Sequence, residues 1–357
     1  MKNRVITAID VGSSTIKVVM ATQDPDEGKL HVIGVSQLPS KGMRRGQVVD
    51  IDGATEAINN AVEAAERMAG TTVDTAFVTA GGSNIESLNS KGVVAVAEPE
   101  GEITNEDVKR VIEAAKAISL PSSKEILHVL ARGFLVDGQE GIKDPCHMTG
   151  VRLEVETHII TGASTTLHNL GKCISEVGLD IEQMVFAGLA SSLSVLTETE
   201  KELGVVLVDI GGGTTDLCVF LEGALAYSAV LPVGARHITN DLAVGLRISL
   251  ESAEKIKLFL TKKPKTAAEP AAAGAKKIND DEINIKELLL PEELNKISRK
   301  TLTEGIIKPR LLEIFSLINL ELEKNNLLGM TPSGVVITGG GAETVGVIEA
   351  CKQRLSL

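Results

Sequence analysis

The chain contains V-V-L-V-D-I-G-G-G-T-T-D-L-C-V-F at Val205–Phe220, and V-I-T-A-I-D-V-G-S-S-T-I-K-V-V-M at Val5–Met20 repeats the same plan. Each copy is an apolar run that ends in Asp, followed by a turn of Gly, Ser and Thr and by a second apolar run. Because the pattern changes only at the turn, each copy is predicted to form a β-hairpin. A single copy would be read equally well as an ordinary glycine hairpin, but the repetition favours two matching halves of one site.

The two turns have the composition of an anion-binding site. Their glycines allow positive φ and a close approach of the backbone to a ligand, and their Ser and Thr side chains add hydroxyl donors. The Asp that ends each first strand would repel an anion, so its best use is to hold the hydrated Mg²⁺ that accompanies nucleotide phosphates. We therefore predict that the facing hairpins bind one nucleotide, with Mg²⁺ held through water by Asp10 and Asp209. The other predicted phosphate-binding residues are Gly12, Ser13, Ser14, Gly211, Gly212, Gly213, Thr214 and Thr215.

Length and composition limit the class of protein. The 357 residues exceed the roughly 250–300 at which a single core stops growing, so two lobes are expected, and 43% hydrophobic residues suffice for both cores. A net charge of −12 with one Tyr and no Trp leaves neither a basic surface nor aromatic platforms for bases, so nucleic acid is not an expected partner.

The cellular compartment is predicted from the cysteines and from the absence of long apolar runs. The four cysteines have neither metal-binding nor disulfide spacing, which favours a reducing, cytoplasmic environment. A strand predicted from Val5 leaves no room for a signal peptide, and no apolar run approaches the roughly 18 residues of a membrane span. Contact with a membrane is therefore expected to be peripheral.

The order of predicted elements indicates an α/β fold with an insertion. A strand at Leu30–Leu38, a helix capped by Asp52 that runs through Met68 with one apolar face, and a strand at Val73–Ala80 alternate as in an α/β sheet. From 82 to 162 the pattern changes to strand-like segments and one helix, typical of a small α+β module. The predicted domains are a first lobe core at 1–81 plus 163–203, an inserted α+β subdomain at 82–162, a second lobe core at 204–230 plus 303–357, and a small subdomain of the second lobe at 231–302 with a mobile loop at 262–282.

The second lobe contains two further candidate sites. A helix is expected from Ser298, as its cap, to about Asn325, and Pro309 should kink or interrupt it. After it, a strand ends in three glycines, and a helix predicted at Ala342–Leu355 follows, which makes another polar-ligand site. Glu254 and Lys257 lie three residues apart on a predicted helix and therefore point the same way. They form either a surface ion pair or a nucleoside contact, in which Glu254 accepts hydrogen bonds from ribose and the stem of Lys257 lies along the base.

Taken together, these features resemble the actin, hexokinase and heat-shock-chaperone ATPase superfamily. The resemblance assigns a first phosphate loop to Asp10–Lys17, which adds Lys17 to the nucleotide-binding residues, a second to Asp209–Asp216, and an adenosine loop to Gly339, Gly340 and Gly341. It implies an α/β, actin-like two-lobed fold with duplicated ribonuclease-H-like domains and an inserted small α+β subdomain in lobe one.

Four longer segments resemble the FtsA family, the actin-like proteins of bacterial cell division. The resemblance covers nearly the whole chain except 262–282, and it includes the inserted module, which distinguishes FtsA from MreB and from actin. The segments are S-K-G-M-R-R-G-Q-V-V-D-I-D at Ser40–Asp52, the stretch from Lys124 with I-L-H-V-L and V-D-G-Q-E-G-I, V-R-L-E-V-E-T-H-I-I-T-G at Val151–Gly162, and F-A-G-L-A-S-S at Phe186–Ser192.

The resemblance implies a set of ligands and partners. Members of the family bind ATP with Mg²⁺, polymerise head to tail with the help of the inserted module, and bind the C-terminal tail of FtsZ on the small subdomain of the second lobe. They meet other division proteins at the cytoplasmic face of the membrane at the septum. Here I-S-R-K-T-L at 297–302 matches the FtsZ-binding segment in part, so Arg299 is the expected partner of an acidic tail. A solvated arginine beside a helix start is the alternative.

Two departures from the family's pattern qualify these expectations. Related ATPases carry an acidic residue where this chain has Ala187, and that carboxylate helps to orient the attacking water, so at most weak ATPase activity is expected, with ATP as a structural and polymerisation ligand. FtsA chains also usually continue to an amphipathic helix that lies on the membrane, whereas this sequence stops at Leu357. Membrane attachment is therefore expected only through a C-terminal helix that this sequence does not include.

Two other functions stay open on the sequence alone. A small-molecule kinase of the same superfamily would need an Asp base for the accepting hydroxyl, and Asp216 could be proposed, although its position matches the structural Asp of the second phosphate loop. A scaffold of pilus assembly like PilM would share the inserted-module architecture without vigorous catalysis. The S-K-G and V-D-G-Q-E-G-I segments favour FtsA over PilM.

Overall fold

The computed structural model describes residues 4–24, 28–97, 101–261, 281–292 and 294–355. Apart from residues 281 and 282, the loop predicted at 262–282 lies outside the described residues. The chain divides into two compact units, Met1–Pro232 with Gly329–Thr338 and Val233–Leu328 with Gly339–Leu357. The lobe and subdomain boundaries predicted from the sequence stay predictions.

Strands are found in both units. Within the described residues they are β1 (Arg4–Val11), β2 (Thr15–Gln23), β3 (Leu30–Pro39), β4 (Met43–Arg44), β5 (Gln47–Val48), β6 (Thr75–Ala80), β7 (Glu86–Ala95), β8 (Lys124–Val136), β9 (Gln139–Ile142), β10 (Arg152–Ala163), β11 (Asp180–Phe186), β12 (Val205–Ile210), β13 (Thr215–Leu221), β14 (Ala224–Leu231), β15 (Glu282–Asn284), β16 (Lys296–Ser298) and β17 (Val335–Thr338).

Helices are found in both units. The α-helices of the described residues are α1 (Ile51–Ala69), α2 (Asn105–Lys116), α3 (Ser164–Glu176), α4 (Ala187–Val195), α5 (Glu198–Leu203), α6 (Ala235–Leu246), α7 (Leu250–Thr261), α8 (Lys308–Lys324) and α9 (Val347–Leu355). Short 3₁₀ helices occupy Lys286–Leu288 and Gly340–Glu343, and a π-helix occupies Thr301–Ile307. In the described part of the chain, no helix combines the length and the apolar character needed to span a bilayer.

Both predicted hairpins form, and a further strand pairs in parallel with the first strand of each hairpin. The first sheet has the order β11-β6-β1-β2-β3 and the third has the order β14-β13-β12-β17. In the first hairpin Asp10 pairs with Lys17, and in the second Asp209 pairs with Asp216. The parallel neighbours are β6 beside β1 and β17 beside β12. The two repeats therefore share register as well as sequence, and their turns occupy equivalent ends of two sheets.

Helix α1 covers the first sheet much as its pattern predicts. The cap, however, is Asp50 rather than the expected Asp52, because the Asp50 carboxylate accepts the Gly53 N–H at 3.3 Å. Met68 is 61% exposed instead of joining the buried face, since the helix ends one residue later and the Met68 sulfur accepts the Val35 N–H at 3.3 Å. The buried face consists of Ala54, Ala57, Ile58, Ala61, Val62 and Ala65.

The inserted module is a four-stranded sheet, β7-β10-β8-β9, packed against α2. Thr104 and Asp107 cap α2 reciprocally, with the Asp107 carboxylate accepting the Thr104 N–H at 3.0 Å. A Cβ atom at Gly92 on β7 would lie 2.2 Å from the Val111 carbonyl oxygen, so the helix lies directly on the strand. Strand β9 was not expected from the sequence; it pairs with the end of β8 across the Asp137–Gly138 turn.

A buried polar network fixes this module to the third sheet. His158 on β10 places Nδ1 2.7 Å from Asn89 Oδ1 and Nε2 2.9 Å from Ser228 Oγ on β14. The Ser87 hydroxyl also donates to the Ser228 carbonyl at 2.6 Å. Burial lowers the pKa of His158 to about 4, and the nearby charge of Arg132 adds to this effect. The imidazole is therefore neutral in the folded protein at neutral pH.

The second unit departs from expectation at two places. The Ser298 hydroxyl accepts the Thr301 N–H at 3.0 Å, as predicted for a cap, but the following helix does not break at Pro309. It runs through the π-helix into α8 instead, and the wider turn accommodates a residue that has no N–H to donate. The helix predicted at Ala342–Leu355 begins only at Val347, because Gly346 has a φ of 83°, outside the helical region.

The His158 network predicts how stability depends on pH. The unfolded chain binds a proton at His158 below its ordinary pKa of 6.5, whereas the folded chain binds it only below about 4. The free energy of unfolding should therefore fall as the pH decreases from about 6.5 to about 4, by up to about 3 kcal/mol from this residue. Urea unfolding of the His158→Gln variant should show a smaller loss between pH 7 and pH 5 than the wild type. The exposed His168 offers a control, since His168→Gln should keep the wild-type slope; equal slopes for all three proteins would contradict the assignment.

Candidate functional site

The first unit brings the two predicted phosphate turns into direct contact. A Cβ atom at Gly212 would lie 2.0 Å from Ser14 Oγ, and one at Gly213 would lie 2.7 Å from Ser13 Oγ. The glycines at 12 and 211–213 do not have positive φ, so the expectation that they provide left-handed backbone is wrong. A side chain at Gly212 or Gly213 would collide with the opposite turn, whereas one at Gly12 or Gly211 would crowd a carbonyl of its own turn, Thr15 or Thr214.

The two turns have the same internal hydrogen bond. The Gly12 N–H donates to the Thr15 carbonyl at 3.1 Å, and the Gly211 N–H donates to the Thr214 carbonyl at 2.9 Å. Thr215 is fully buried at the start of β13. Equivalent residues therefore present equivalent backbone on both sides of one point of contact, as a pair of anion-binding turns requires.

Three carboxylates lie beside these turns. Asp10 accepts a hydrogen bond from the Thr79 hydroxyl at 2.8 Å, and the Lys17 ammonium lies 3.5 Å from its other oxygen. Asp209 accepts a hydrogen bond from the Ser191 hydroxyl at 2.5 Å. Asp216 is buried, and its Oδ1 atom finds no hydrogen-bond partner among the described residues.

The carboxylates act on one another electrostatically. Burial raises the pKa of Asp209, and the charge of Asp10 raises it further against the opposing hydrogen bond from Ser191. Burial also raises the pKa of Asp216 well above its ordinary value, with added contributions from Asp209 and Asp10. The cluster thus has more negative charge than Lys17 can neutralise, which is the condition that a bound cation relieves.

Magnesium fits this cluster through water rather than through direct ligation. Within the described ranges, no three His, Cys, Asp or Glu side chains are arranged to hold a metal ion directly. Mg²⁺ usually keeps several waters and takes one or two carboxylates together with phosphate oxygens. Asp10 and Asp209 can serve as these carboxylates, whereas Asp216 Oδ1 is buried away from solvent beside them.

The sequence did not identify two residues that orient these carboxylates. Thr79 lies near the end of β6, the parallel neighbour of β1, and Ser191 lies on α4, whose first residue is Ala187. A polar residue at the carboxyl end of a strand beside the first hairpin is a usable signal for Thr79. For Ser191 the only signal was its place in the F-A-G-L-A-S-S segment.

The other predicted site residues belong to the second unit. The Lys257 ammonium lies 2.7 Å from Glu254 Oε2, and the Thr239 hydroxyl contacts both side chains, at 2.9 Å and 2.5 Å respectively. The ion pair of the alternative interpretation therefore forms, with Lys257 8% exposed and the Glu254 side chain 43% exposed. It connects α6 with α7, and its role toward a nucleoside stays a prediction.

The glycine turn and Arg299 are also described there. Gly339 has a φ of 82°, and a Cβ at Gly340 would meet nothing within 4 Å. The expected helix N-terminus does not follow the glycines directly, since a 3₁₀ helix at Gly340–Glu343 intervenes before α9. Arg299 is half-buried at a helix start, and its backbone N–H donates to the Asp281 carbonyl at 2.6 Å. The functions predicted for these residues stay predictions.

Comparison with known proteins gives consistent likenesses. A family model described as cell division protein FtsA matches residues 206–357, and a model described as the SHS2 domain inserted in FtsA matches residues 82–161. The cell division protein FtsA of Pseudomonas aeruginosa is 37% identical over 350 residues, 98% of this chain and 81% of that protein. Those of Bacillus subtilis and Escherichia coli K12 are 37% and 34% identical, over 99% of this chain in both cases and 77% and 82% of their own lengths.

Solved structures share the fold at low sequence identity. The PilM–PilN type IV pilus biogenesis complex matches with a TM-score of 0.67 and 13% identity, over 99% of this chain and 86% of that chain. MreB5 of Spiroplasma citri bound to ADP matches with a TM-score of 0.54 and 15% identity, over 99% and 90% of the two chains. At these identities the likeness shows the fold alone. The predicted α/β fold class with an inserted module is confirmed.

Contact between the turns predicts a specific sensitivity to side chains. Gly212→Ala places a methyl group 2.0 Å from Ser14 Oγ and 2.9 Å from Ser14 Cβ, so rotation of the hydroxyl does not remove the clash, and we expect a loss of about 1–3 kcal/mol in the free energy of unfolding. Gly133→Ala is the control, because a Cβ there meets only the Ile142 carbonyl oxygen at 4.0 Å. Denaturant unfolding of both variants tests this; equal stability of the Gly212 variant and the wild type would show that the turns are not in contact.

Proposed function

The chain belongs to the FtsA family of actin-like cell-division proteins, and on that premise we propose that it binds ATP with Mg²⁺, polymerises, and links FtsZ to the cytoplasmic membrane at the division septum. The observation that supports ATP binding most strongly is the contact of two matching turns beside three carboxylates, of which only Asp10 has a lysine partner among the described residues, Lys17. The structures of MreB5 of Spiroplasma citri, one bound to ADP and one bound to AMPPNP, are consistent with this ligand class.

The proposed division of labour follows the chemistry of each group. Backbone N–H groups of both turns and the hydroxyls of Ser13, Ser14, Thr214 and Thr215 would donate to phosphate oxygens, and Lys17 would add a positive charge. Asp10 and Asp209 would hold Mg²⁺ through water, and Thr79 and Ser191 keep these two carboxylates oriented. When bound, Mg²⁺ neutralises charge on the phosphates. Contacts to the nucleoside are proposed for Glu254, Lys257, Gly339, Gly340 and Gly341.

Hydrolysis is proposed to be weak. The first residue of α4 is Ala187, which carries no carboxylate to orient a water molecule. Asp209 accepts a hydrogen bond from Ser191 and is assigned to the cation, so it is not free as a general base. ATP would therefore act chiefly as a ligand that sets the conformation for assembly.

The proposed partners are a second copy of the chain, the FtsZ tail and other division proteins. The inserted module, with its own sheet, helix and core, is the proposed contact between copies. Arg299 is proposed to pair with a carboxylate of the FtsZ tail, because a guanidinium can bind a carboxylate through two hydrogen bonds. The cytoplasmic face of the membrane at the septum is the proposed location.

The two alternative functions receive less support. The chain has 13% identity to the PilM–PilN structure but 34–37% to FtsA proteins over nearly its whole length, so a pilus scaffold is disfavoured. A kinase would need a carboxylate free to accept a proton from its substrate. Asp216, the one candidate from the sequence, is buried beside two other carboxylates, and Asp209 directly opposes it across the hairpin.

Nucleotide binding is tested by titration of the full chain with ATP in Mg²⁺ and in EDTA. We expect binding that Mg²⁺ strengthens, and turnover well below about 1 s⁻¹. Asp209→Asn should lose most of the Mg²⁺ dependence, since it removes a charge that holds the ion, whereas Asp180→Asn, at the start of β11, should behave as wild type. Failure of the wild type to bind ATP, or turnover typical of metabolic kinases, would contradict the proposal.

Binding of the FtsZ tail is tested by fluorescence anisotropy with a labelled C-terminal FtsZ peptide. Arg299→Ala should weaken binding about ten-fold through loss of a charge-assisted pair, and Arg299→Lys should recover part of it. Lys300→Ala removes a neighbouring charge and is the control, so its affinity for the peptide should equal that of the wild type. An N-terminal PilN peptide should not bind; binding of that peptide in place of the FtsZ tail would favour the pilus scaffold.

A further inference from the structure

A small hairpin formed by β4 and β5 contacts both phosphate turns through its own turn, Arg45–Gly46. The Gly46 N–H donates to Ser13 Oγ at 2.8 Å, which joins this turn to the first phosphate turn. A Cβ atom at Gly213 would lie 3.1 Å from Arg45 Cα, which places Arg45 against the second phosphate turn as well. Arg45 and Gly46 therefore both lie at the point where the two phosphate turns meet.

The other side of the same turn contacts the start of the inserted module. A Cβ atom at Gly46 would lie 2.6 Å from both the Cα and the N of Gly82, so the two glycine backbones touch. The Gln47 side chain donates to Asn84 Oδ1 at 3.2 Å. Residue 82 is also where the match to the inserted SHS2 domain begins. The Arg45–Gly46 turn thus connects the phosphate turns with the first residues of the module.

Local backbone preference does not explain an arginine at this position. Arg45 has a φ of 51° and Gly46 a φ of 74°, the left-handed pair of a two-residue hairpin turn. Such turns favour Asn, Asp or Gly at both positions, because residues with longer side chains rarely adopt the left-handed backbone conformation. The guanidinium of Arg45 is therefore the feature to explain.

Charge balance indicates what that guanidinium binds. Lys17 already lies 3.5 Å from Asp10, and the site also contains Asp209 and Asp216. Arg45 is exposed, and no carboxylate of the described ranges pairs with it. A nucleoside triphosphate carries more negative charge than a diphosphate, and Arg binds phosphate oxygens through two parallel hydrogen bonds. An unpaired arginine at the junction of two phosphate turns matches this additional charge.

We propose that Arg45 binds the terminal phosphate of a nucleoside triphosphate, and that the Arg45–Gly46 turn thereby reports the nucleotide state to the root of the inserted module. The inference rests on the ATP binding proposed above and adds the residue that distinguishes ATP from ADP. It also supplies a route by which the nucleotide acts on the module, because the same four-residue contact, Ser13, Arg45, Gly46 and Gly82, touches both.

Nucleotide discrimination is tested by calorimetric titration of the full chain with Mg-ATP and Mg-ADP. Arg45→Ala should weaken ATP binding roughly ten-fold and ADP binding by less than about three-fold. The affinity of Arg45→Lys for ATP should lie between those of Arg45→Ala and the wild type. Arg44→Ala removes the adjacent charge from β4, and its affinities for both nucleotides should equal those of the wild type. Thermal unfolding of each protein without nucleotide checks that the fold is intact.

The other possible results distinguish failure of this inference from failure of the proposed function. Equal weakening of ATP and ADP, or no change in Arg45→Ala, would overturn the inference while leaving ATP binding in place. Wild-type protein that binds neither nucleotide would overturn the proposed function itself. Hydrogen exchange of the amides at 82–96 is the second readout: ATP should slow exchange relative to ADP in the wild type and not in Arg45→Ala. Identical exchange with ATP and ADP in the wild type would overturn the link to the module.

Discussion

Direct contact between two glycine turns is the constraint on which the first unit depends. Ser14 lies where a side chain at Gly212 would be, and Ser13 lies where one at Gly213 would be, so the repeats can meet only without side chains at these positions. This contact brings Asp10, near the end of β1, close to Asp209 near the end of β12 and to its cross-strand partner Asp216 near the start of β13. An acidic cluster of this kind is costly by itself. A bound cation would relieve this cost, and the proposed ligand, ATP with Mg²⁺, supplies that cation together with the phosphates that the turns would bind.

The same contact extends outward in two directions. Through Thr79 and Ser191 it reaches β6 and α4, which orient the carboxylates. Through the Arg45–Gly46 turn it reaches Gly82 and the inserted module, and that module is in turn fixed to the third sheet by the buried network around His158. The packed contacts of the first unit therefore connect the phosphate turns with the surface proposed for assembly. A small displacement of the phosphate turns would also displace the module, because the backbones of Gly46 and Gly82 are in direct contact and leave no gap between them.

The sequence predicts features that neighbouring residues determine, and it does not predict contacts between distant segments. Hairpins at both repeats follow from alternation and turn composition, and both form with equivalent registers. The buried face of α1 follows from helical periodicity, whereas its cap was misplaced by two residues because Asp50 and Asp52 both suit that role. Contacts between distant segments carry no such signal: Thr79 with Asp10, Ser191 with Asp209, and Gly46 with Gly82 each join parts of the chain that only the folded sheets bring together. Positive φ was the wrong explanation for the glycines of the phosphate turns, since none of them has it and steric contact requires them instead.

We propose that the two turns bind the phosphates of one ATP, with Mg²⁺ beside Asp10 and Asp209. A crystal structure of the chain with Mg²⁺ and AMPPNP tests it most directly. We expect phosphate oxygens within hydrogen-bond distance of backbone N–H groups from both turns, and an Mg²⁺ ion whose water ligands contact Asp10 and Asp209. Phosphates that contact only one turn, or a nucleotide bound elsewhere on the chain, would contradict it.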